Sequence, residues 1–210
     1  MTIKVNGIFP GELKPTQTIA GCVDVFEGAW PDPNEVIDRI ELEVTNPDSG
    51  AHWEAASTIG QGTNQKIRTN KVMHVSHLAD TYNNLILQNI HNQFYIMLLA
   101  ATIPYAERMG IKESLWHESY QILKYSPGEF YGQHYDGWSS TGRSISAICY
   151  LNDDYEGGEI DFIHHGVKIK PTAGTLILFP SNFAYSHVAH PVTSGTKYAV
   201  VTWIKDRQVD

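Results

Sequence analysis

The period of the apolar positions changes near residue 118. Between residues 78 and 109, Leu78, Tyr82, Leu85, Ile86, Ile90, Phe94, Leu98, Ala101 and Tyr105 recur mostly at helical spacing, which lines one face of an α-helix. One helix is expected over this stretch, packed as a scaffold on a sheet. Pro104 is expected to break or kink it, because proline has no N–H and clashes with the preceding turn. A shorter helix is expected over Glu35–Val44, where Val36, Ile37, Ile40 and Leu42 follow the start signal Pro31-Asp32-Pro33-Asn34. Residues 1–32 read as one or two strands, 45–64 as a loop rich in Gly, Ser and Asn, and Ile67–Val75 as a strand.

From Glu118 onward the period is two. Short β-rich runs cover Ser119–Tyr125, Glu129–Tyr135, Arg143–Leu151, Glu159–Ile163, Val167–Ile169, Thr175–Phe179, Tyr185–His190 and Lys197–Ile204. Turn signals separate them, among them Pro127-Gly128, Gly157-Gly158, Ala173-Gly174 and Ser194-Gly195. Many short strands with tight turns make a sandwich or barrel. The expected fold is mainly β with supporting α: a jelly roll over residues 118–206, backed by strands and a helical layer from residues 1–117, as one domain over 1–210.

Composition narrows the function. The chain has 210 residues and a net charge of −8 from 15 Lys+Arg against 23 Asp+Glu. That balance lacks the basic footprint of a nonspecific nucleic-acid binder. No apolar run approaches the ~18 residues that span a bilayer. Two cysteines, Cys22 and Cys149, stand too far apart for a CxxC pair and too few for a disulfide framework. A soluble cytoplasmic protein without a membrane or nucleic-acid partner is expected.

The chemistry concentrates in His134-Tyr135-Asp136. In a strand, residues i and i+2 share a face, so His134 and Asp136 project together. His187, in another expected strand, can supply a third ligand. Two His and one carboxylate on one face leave open coordination positions, as in the facial triad of non-heme Fe(II) oxygenases. Lys197 opens a strand otherwise apolar and aromatic, on one face with Ala199, Val201 and Trp203. It either snorkels from the strand end or receives a dicarboxylate. In Arg143–Leu151, Ile145, Ala147, Cys149 and Leu151 form a core face. Ser146, Ile148 and Tyr150 form the other, which suits either solvent or a half-wet cavity for an oxygen-rich ligand.

Together these residues resemble a known family. Tyr125-x-x-Gly128, His134-x-Asp136, Tyr150-Leu151-Asn152, Gly157-Gly158-Glu159, Phe179-Pro180-Ser181, His187, Pro191-Val192-Thr193-x-Gly195-x-Lys197 and Trp203 are similar, in order and spacing, to the core of the Fe(II)/2-oxoglutarate-dependent dioxygenases, prolyl 4-hydroxylase-like branch. The resemblance covers about Tyr120 to Lys205. It implies a double-stranded β-helix and Fe(II) bound by His134, Asp136 and His187. It implies 2-oxoglutarate as co-substrate, its distal carboxylate on Lys197 and the Tyr150 hydroxyl, with Tyr125 lining the pocket and Trp203 walling it. Ser146 and Ile148 join the co-substrate set. O2 is the oxidant and ascorbate the reductant. The implied reaction hydroxylates an unactivated C–H bond, releasing succinate and CO2, on a proline-containing peptide or protein. The same chemistry on a free amino acid or small metabolite is the alternative, and a non-catalytic metal-binding jelly roll is a third reading.

Three features sit beside this set. His190 competes with His187 for the ligand role, but the ten-residue step from His187 to Lys197 and the opposite-face parity of His190 favour His187. His164-His165 reads as a hairpin tip. Ile59-Gly60-Gln61-Gly62 has no strand–helix context for nucleotide binding and reads as a loop near the active site.

Overall fold

The computed structural model describes residues 12–57, 64–111, 115–138 and 140–205. The Ile59–Gly62 loop lies outside them. In chain order the elements are β1 (Gln17–Ile19), β2 (Val23–Phe26), α1 (Pro33–Thr45), β3 (Glu54–Ala55), β4 (Lys71–His74), α2 (Val75–Thr81), α3 (Leu85–Arg108), β5 (Trp116–His117), β6 (Gln121–Tyr125), β7 (Tyr131–His134) and β8 (Arg143–Tyr150). There follow β9 (Glu156–Gly157), β10 (Ile160–Phe162), β11 (Val167–Ile169), β12 (Leu176–Pro180), β13 (His187–Ala189), β14 (Val192–Ser194) and β15 (Lys197–Lys205).

The strands form a nine-stranded antiparallel sheet in the order β1-β2-β12-β8-β15-β6-β4-β3, with β5 on β15. A four-stranded sheet, β11-β10-β13-β7, and the β14-β9 ribbon complete the β structure. Helices α1 to α3 precede the β-rich half. The architecture is mainly β with supporting helices, as the change of period near residue 118 predicts. Among the described residues no helix is long and apolar enough to cross a membrane.

The long helix expected over 78–109 is two helices. Asn83 adopts a left-handed conformation, φ 49°, which asparagine tolerates better than most residues. Asn84 then caps α3: its side-chain oxygen accepts from the N–H groups of Ile86 and Leu87. The apolar period runs across this break through Tyr82 and Leu85, which are both exposed, while the buried residues of the two helices join one cluster. Pro104 does not end α3, which continues to Arg108. Its missing N–H frees the carbonyl of Ala100, and the Leu13 N–H fills it at 3.0 Å.

Helix α3 buries Leu87, Ile90, Phe94, Met97, Leu98 and Ala101 in one cluster with Ile145, Ala147, Cys149 and Leu151. Each large side chain buried there stabilises the fold by about 1.5–3 kcal/mol. That is the core face expected for β8. Its other face turns away from the helices.

A candidate metal and co-substrate site

Strand register builds one wall of a cavity. Lys197, Ala199, Val201 and Trp203 of β15 pair with Tyr125, Tyr150, Ile148 and Ser146: Lys197 with Tyr125, Ala199 with Tyr150, Val201 with Ile148, Trp203 with Ser146. Directly paired residues share a face, so the alternation read from two separate segments meets on one surface. The smaller sheet supplies the opposite wall, where His187 lies directly across from His134. Between them is a cavity of about 580 Å³ lined from both sheets.

His134, Asp136 and His187 bring one ligand atom each to within 4.8 Å of one another. Nε2 of His134 lies 3.6 Å from Asp136 Oδ1, and Nε2 of His187 lies 3.9 Å from Oδ2. Both imidazoles are oriented from behind. Nδ1 of His134 donates to Gly132 O (2.8 Å) and Nδ1 of His187 to Tyr185 O (3.0 Å). A carbonyl only accepts, so both Nδ1 atoms carry hydrogen, and both Nε2 atoms face the carboxylate. Burial, and then the neighbouring His187, hold the His134 pKa well below its ordinary value, keeping the ring neutral as ligation requires.

Strand alternation places Asp136 on one face with His134, but Asp136 does not lie in a strand. Strand β7 stops at His134, and a bend brings the carboxylate round. The bend is pinned by Ser181 O, which accepts from Asp136 N–H (3.1 Å) and Gly137 N–H (2.7 Å). A β-carbon on Gly137 would meet Arg143 O at 2.7 Å, so this close approach admits only glycine. Burial by itself raises the Asp136 pKa; His187, His134, and hydrogen bonds from Ser146 and Trp203 outweigh it and hold it ionised.

Ser146 does not line the open cavity. Its Oγ donates to Asp136 Oδ2 at 2.6 Å and lies 2.8 Å from Ser181 Oγ. Its place is behind the metal ligand rather than on a co-substrate. Ile148, Tyr150, Tyr125 and Trp203 do line the cavity.

Lys197 is 2% exposed, which rules out snorkelling. Its Nζ donates to Gly158 O at 2.7 Å and sits 4.8 Å from the Tyr125 ring and 5.2 Å from the Tyr150 ring. Among the described residues no carboxylate lies within ion-pair distance. Burial, with Lys170 adding to it, lowers its pKa from 10.5 to about 7. An isolated buried ammonium is costly; a ligand carboxylate would relieve it.

His190 lies outside the cavity, 2.9 Å from Asp161 Oδ2. His164 and His165 sit in a short 3-10 turn between β10 and β11, as a hairpin tip should, and do not line the cavity.

Sequence patterning misses part of the cavity. Arg68, 8% exposed, donates to Asn70 Oδ1 (2.8 Å) and Ser57 O (3.1 Å) and lies over the Tyr131 ring at 4.5 Å. The Tyr131 ring in turn stacks on His134 at 3.5 Å. Arg143 grips Glu118 through two nitrogens (2.9 and 2.6 Å) and lies 3.6 Å over the Trp203 ring. The only local signals were charge in otherwise β-like runs.

A jelly roll with two histidines and a carboxylate facing a buried cation defines a class of non-heme metal protein. The comparisons name it. Residues 120–205 match the model of the 2OG-Fe(II) oxygenase superfamily. The chain is 27% identical over 175 residues to Prolyl 4-hydroxylase 1 of Arabidopsis thaliana, covering 70% of this chain and 57% of that protein. It is 43% identical over 88 residues to a PKHD-type hydroxylase of Prochlorococcus marinus, covering 39% of each. In fold it resembles a Trichoplax adhaerens prolyl hydroxylase solved with a hypoxia-inducible-factor peptide, at TM-score 0.70 and 18% identity over 89% of this chain and 84% of that one. The chain spans about half the length of the curated relatives it matches. Residues 120–205 thus resemble the 2OG-Fe(II) oxygenase superfamily, and the similar curated proteins are prolyl hydroxylase-like.

Proposed function

We propose that this protein is an Fe(II)- and 2-oxoglutarate-dependent dioxygenase that hydroxylates a prolyl residue of a peptide or protein, releasing succinate and CO2. The observation that carries the reading is Lys197: a buried cation without an anion, in one cavity with a His-Asp-His cluster. His134 and His187 offer their Nε2 atoms, and Asp136 offers an ionised oxygen held by Ser146. That donor set suits a ferrous ion with open positions, and ascorbate would keep the ion ferrous. When bound, the metal and 2-oxoglutarate supply the oxidative chemistry with O2.

The chain's own residues bind and orient. Lys197 receives the distal carboxylate of 2-oxoglutarate in a charge-assisted contact. The Tyr150 and Tyr125 rings flank that contact. Ile148 and Val201 supply the apolar lining that keeps water from it. Arg68 and Arg143, each fixed by its partners, present donors for the backbone carbonyls of an extended peptide. Both cysteines are free, which suits a reducing, cytoplasmic setting.

The test is succinate formation from 2-oxoglutarate with Fe(II), ascorbate and air, with and without proline-containing peptides. Peptide-stimulated turnover, with one oxygen added to proline, is the expected result. Turnover without peptide stimulation would move the substrate to a free amino acid or small metabolite. Iron-loaded protein with no turnover would overturn the proposal.

A further inference from the structure

The loop leaving the metal ligands carries an exposed aromatic pair that the chemistry above does not use. Tyr135 and Trp138 stack with ring centres 4.5 Å apart and planes inclined by 26°. Both line the cavity, and Trp138 remains 52% exposed. The pair is held in place. Gly137, just before Trp138, is clamped to Ser181 O at 2.7 Å. Just after it, Trp138 N–H donates to Thr141 Oγ1 (3.1 Å), and Thr141 Oγ1 donates back to Trp138 O (2.9 Å). An indole left half in water on an anchored turn, beside a metal ligand, is built to be covered by something.

We propose that Trp138, backed by Tyr135, is a specificity subsite that takes the ring of a proline next to the hydroxylated residue. This rests on the prolyl hydroxylase reading and extends it. The neighbouring charges select the occupant. A basic residue would meet the fixed cations Arg68 and Arg143 in the same cavity. An acidic residue would meet the electron-rich indole face, find Arg143 already held by Glu118 and find Arg68 buried over the Tyr131 ring. An apolar ring meets neither objection: its C–H groups lie flat on the indole. A proline-rich segment also enters pre-extended, with little entropy left to lose.

The test uses three blocked peptides that differ only beside the target proline: proline before it, proline after it, or alanine on both sides. Dye-labelled versions report binding to the full-length protein by fluorescence anisotropy, and the unlabelled ones report kcat/KM for succinate formation. In the wild-type protein one proline-flanked peptide is expected to be favoured roughly five- to tenfold in both readouts, the range of an aromatic contact. Trp138→Ala should bring that ratio close to one, while Trp138→Phe should retain most of it. Equal use of all three peptides by the wild-type protein, or an unchanged preference in Trp138→Ala, overturns the subsite and leaves the prolyl reading standing. Two further peptides carry Asp or Lys beside the target proline, and tighter binding of either than of the favoured proline-flanked peptide also overturns it. If no peptide binds, the prolyl reading and the subsite fall together.

Discussion

Strand β8 has two faces with opposite physics. Toward α3 it presents Ile145, Ala147 and Cys149, each 1% exposed or less, in close apolar packing. Toward its other side it presents Ser146 and Tyr150, each 1% exposed, with half-buried Ile148 between them; Ser146 is taken up by Asp136, while Ile148 and Tyr150 line the cavity with His187 and Lys197. On the first face burial removes apolar surface from water and stabilises the fold. On the second it strips water from charged and polar groups, which destabilises unless partners arrive. Asp136 has partners within the chain: Ser146, two imidazoles and Trp203. Lys197 has a carbonyl and two aromatic faces. The core face is satisfied within the chain, whereas on the cavity face Lys197 has no carboxylate partner among the described residues.

Substitutions should separate the two faces. The largest effect is expected from His134→Ala or Asp136→Ala: turnover lost by more than about a thousandfold, with iron binding lost in parallel by metal titration, and a folded protein. Iron held at wild-type affinity would remove these residues from the ligand set. On the helix side, Phe94→Ala should cost about 3–5 kcal/mol in denaturant unfolding. Activity per folded molecule should change little there, and a selective loss of activity would mean that α3 does more than support the sheet.

Lys197→Met should cross the comparison, weakening 2-oxoglutarate roughly 10- to 100-fold, as loss of a charge-assisted contact implies, while making the ligand-free protein more stable. The pH dependence has a definite sign. The folded pKa of Lys197 is about 7 against an ordinary 10.5. Between those values the unfolded chain holds more protons, so stability rises with pH across that window as the burial penalty is relieved. Affinity for 2-oxoglutarate should run the other way, falling about tenfold per pH unit above 7 as the ammonium is lost. A flat binding profile from pH 7 to 9 would contradict Lys197 as the carboxylate partner. The smallest effect is expected from His190→Ala, which should lose only its bond to Asp161 and leave iron affinity within about twofold, typical of a surface change. Loss of iron there, with iron retained in His187→Ala, would exchange the third ligand.

Sequence by itself carried whatever depends on local alternation. The two faces of β8, the cavity face of β15 and the presence of eight strands from 118 onward follow from side chains that alternate every residue, and burial on one face imprints that alternation on composition; the short β9 and β14 left no such pattern. Lys197 was legible for the same reason, since a polar group in an apolar run must answer to something; the His134-x-Asp136 pair was legible by its spacing, although a bend rather than strand alternation brings Asp136 to the site. What sequence could not carry depends on chain segments distant in number. The break at Asn83-Asn84 is hidden because Tyr82 and Leu85 keep the helical spacing across it although both are exposed. The bend that delivers Asp136 exists because Ser181 O reaches across from another strand. The turn of Ser146 toward Asp136, the placing of Arg68 over Tyr131 and of Arg143 over Trp203, and the anchoring of Trp138 all need partners from separate elements. Only tertiary structure decides those, because a hydrogen bond or ring contact is fixed by distance in space, and the chain's local pattern records burial but not the identity of the neighbour.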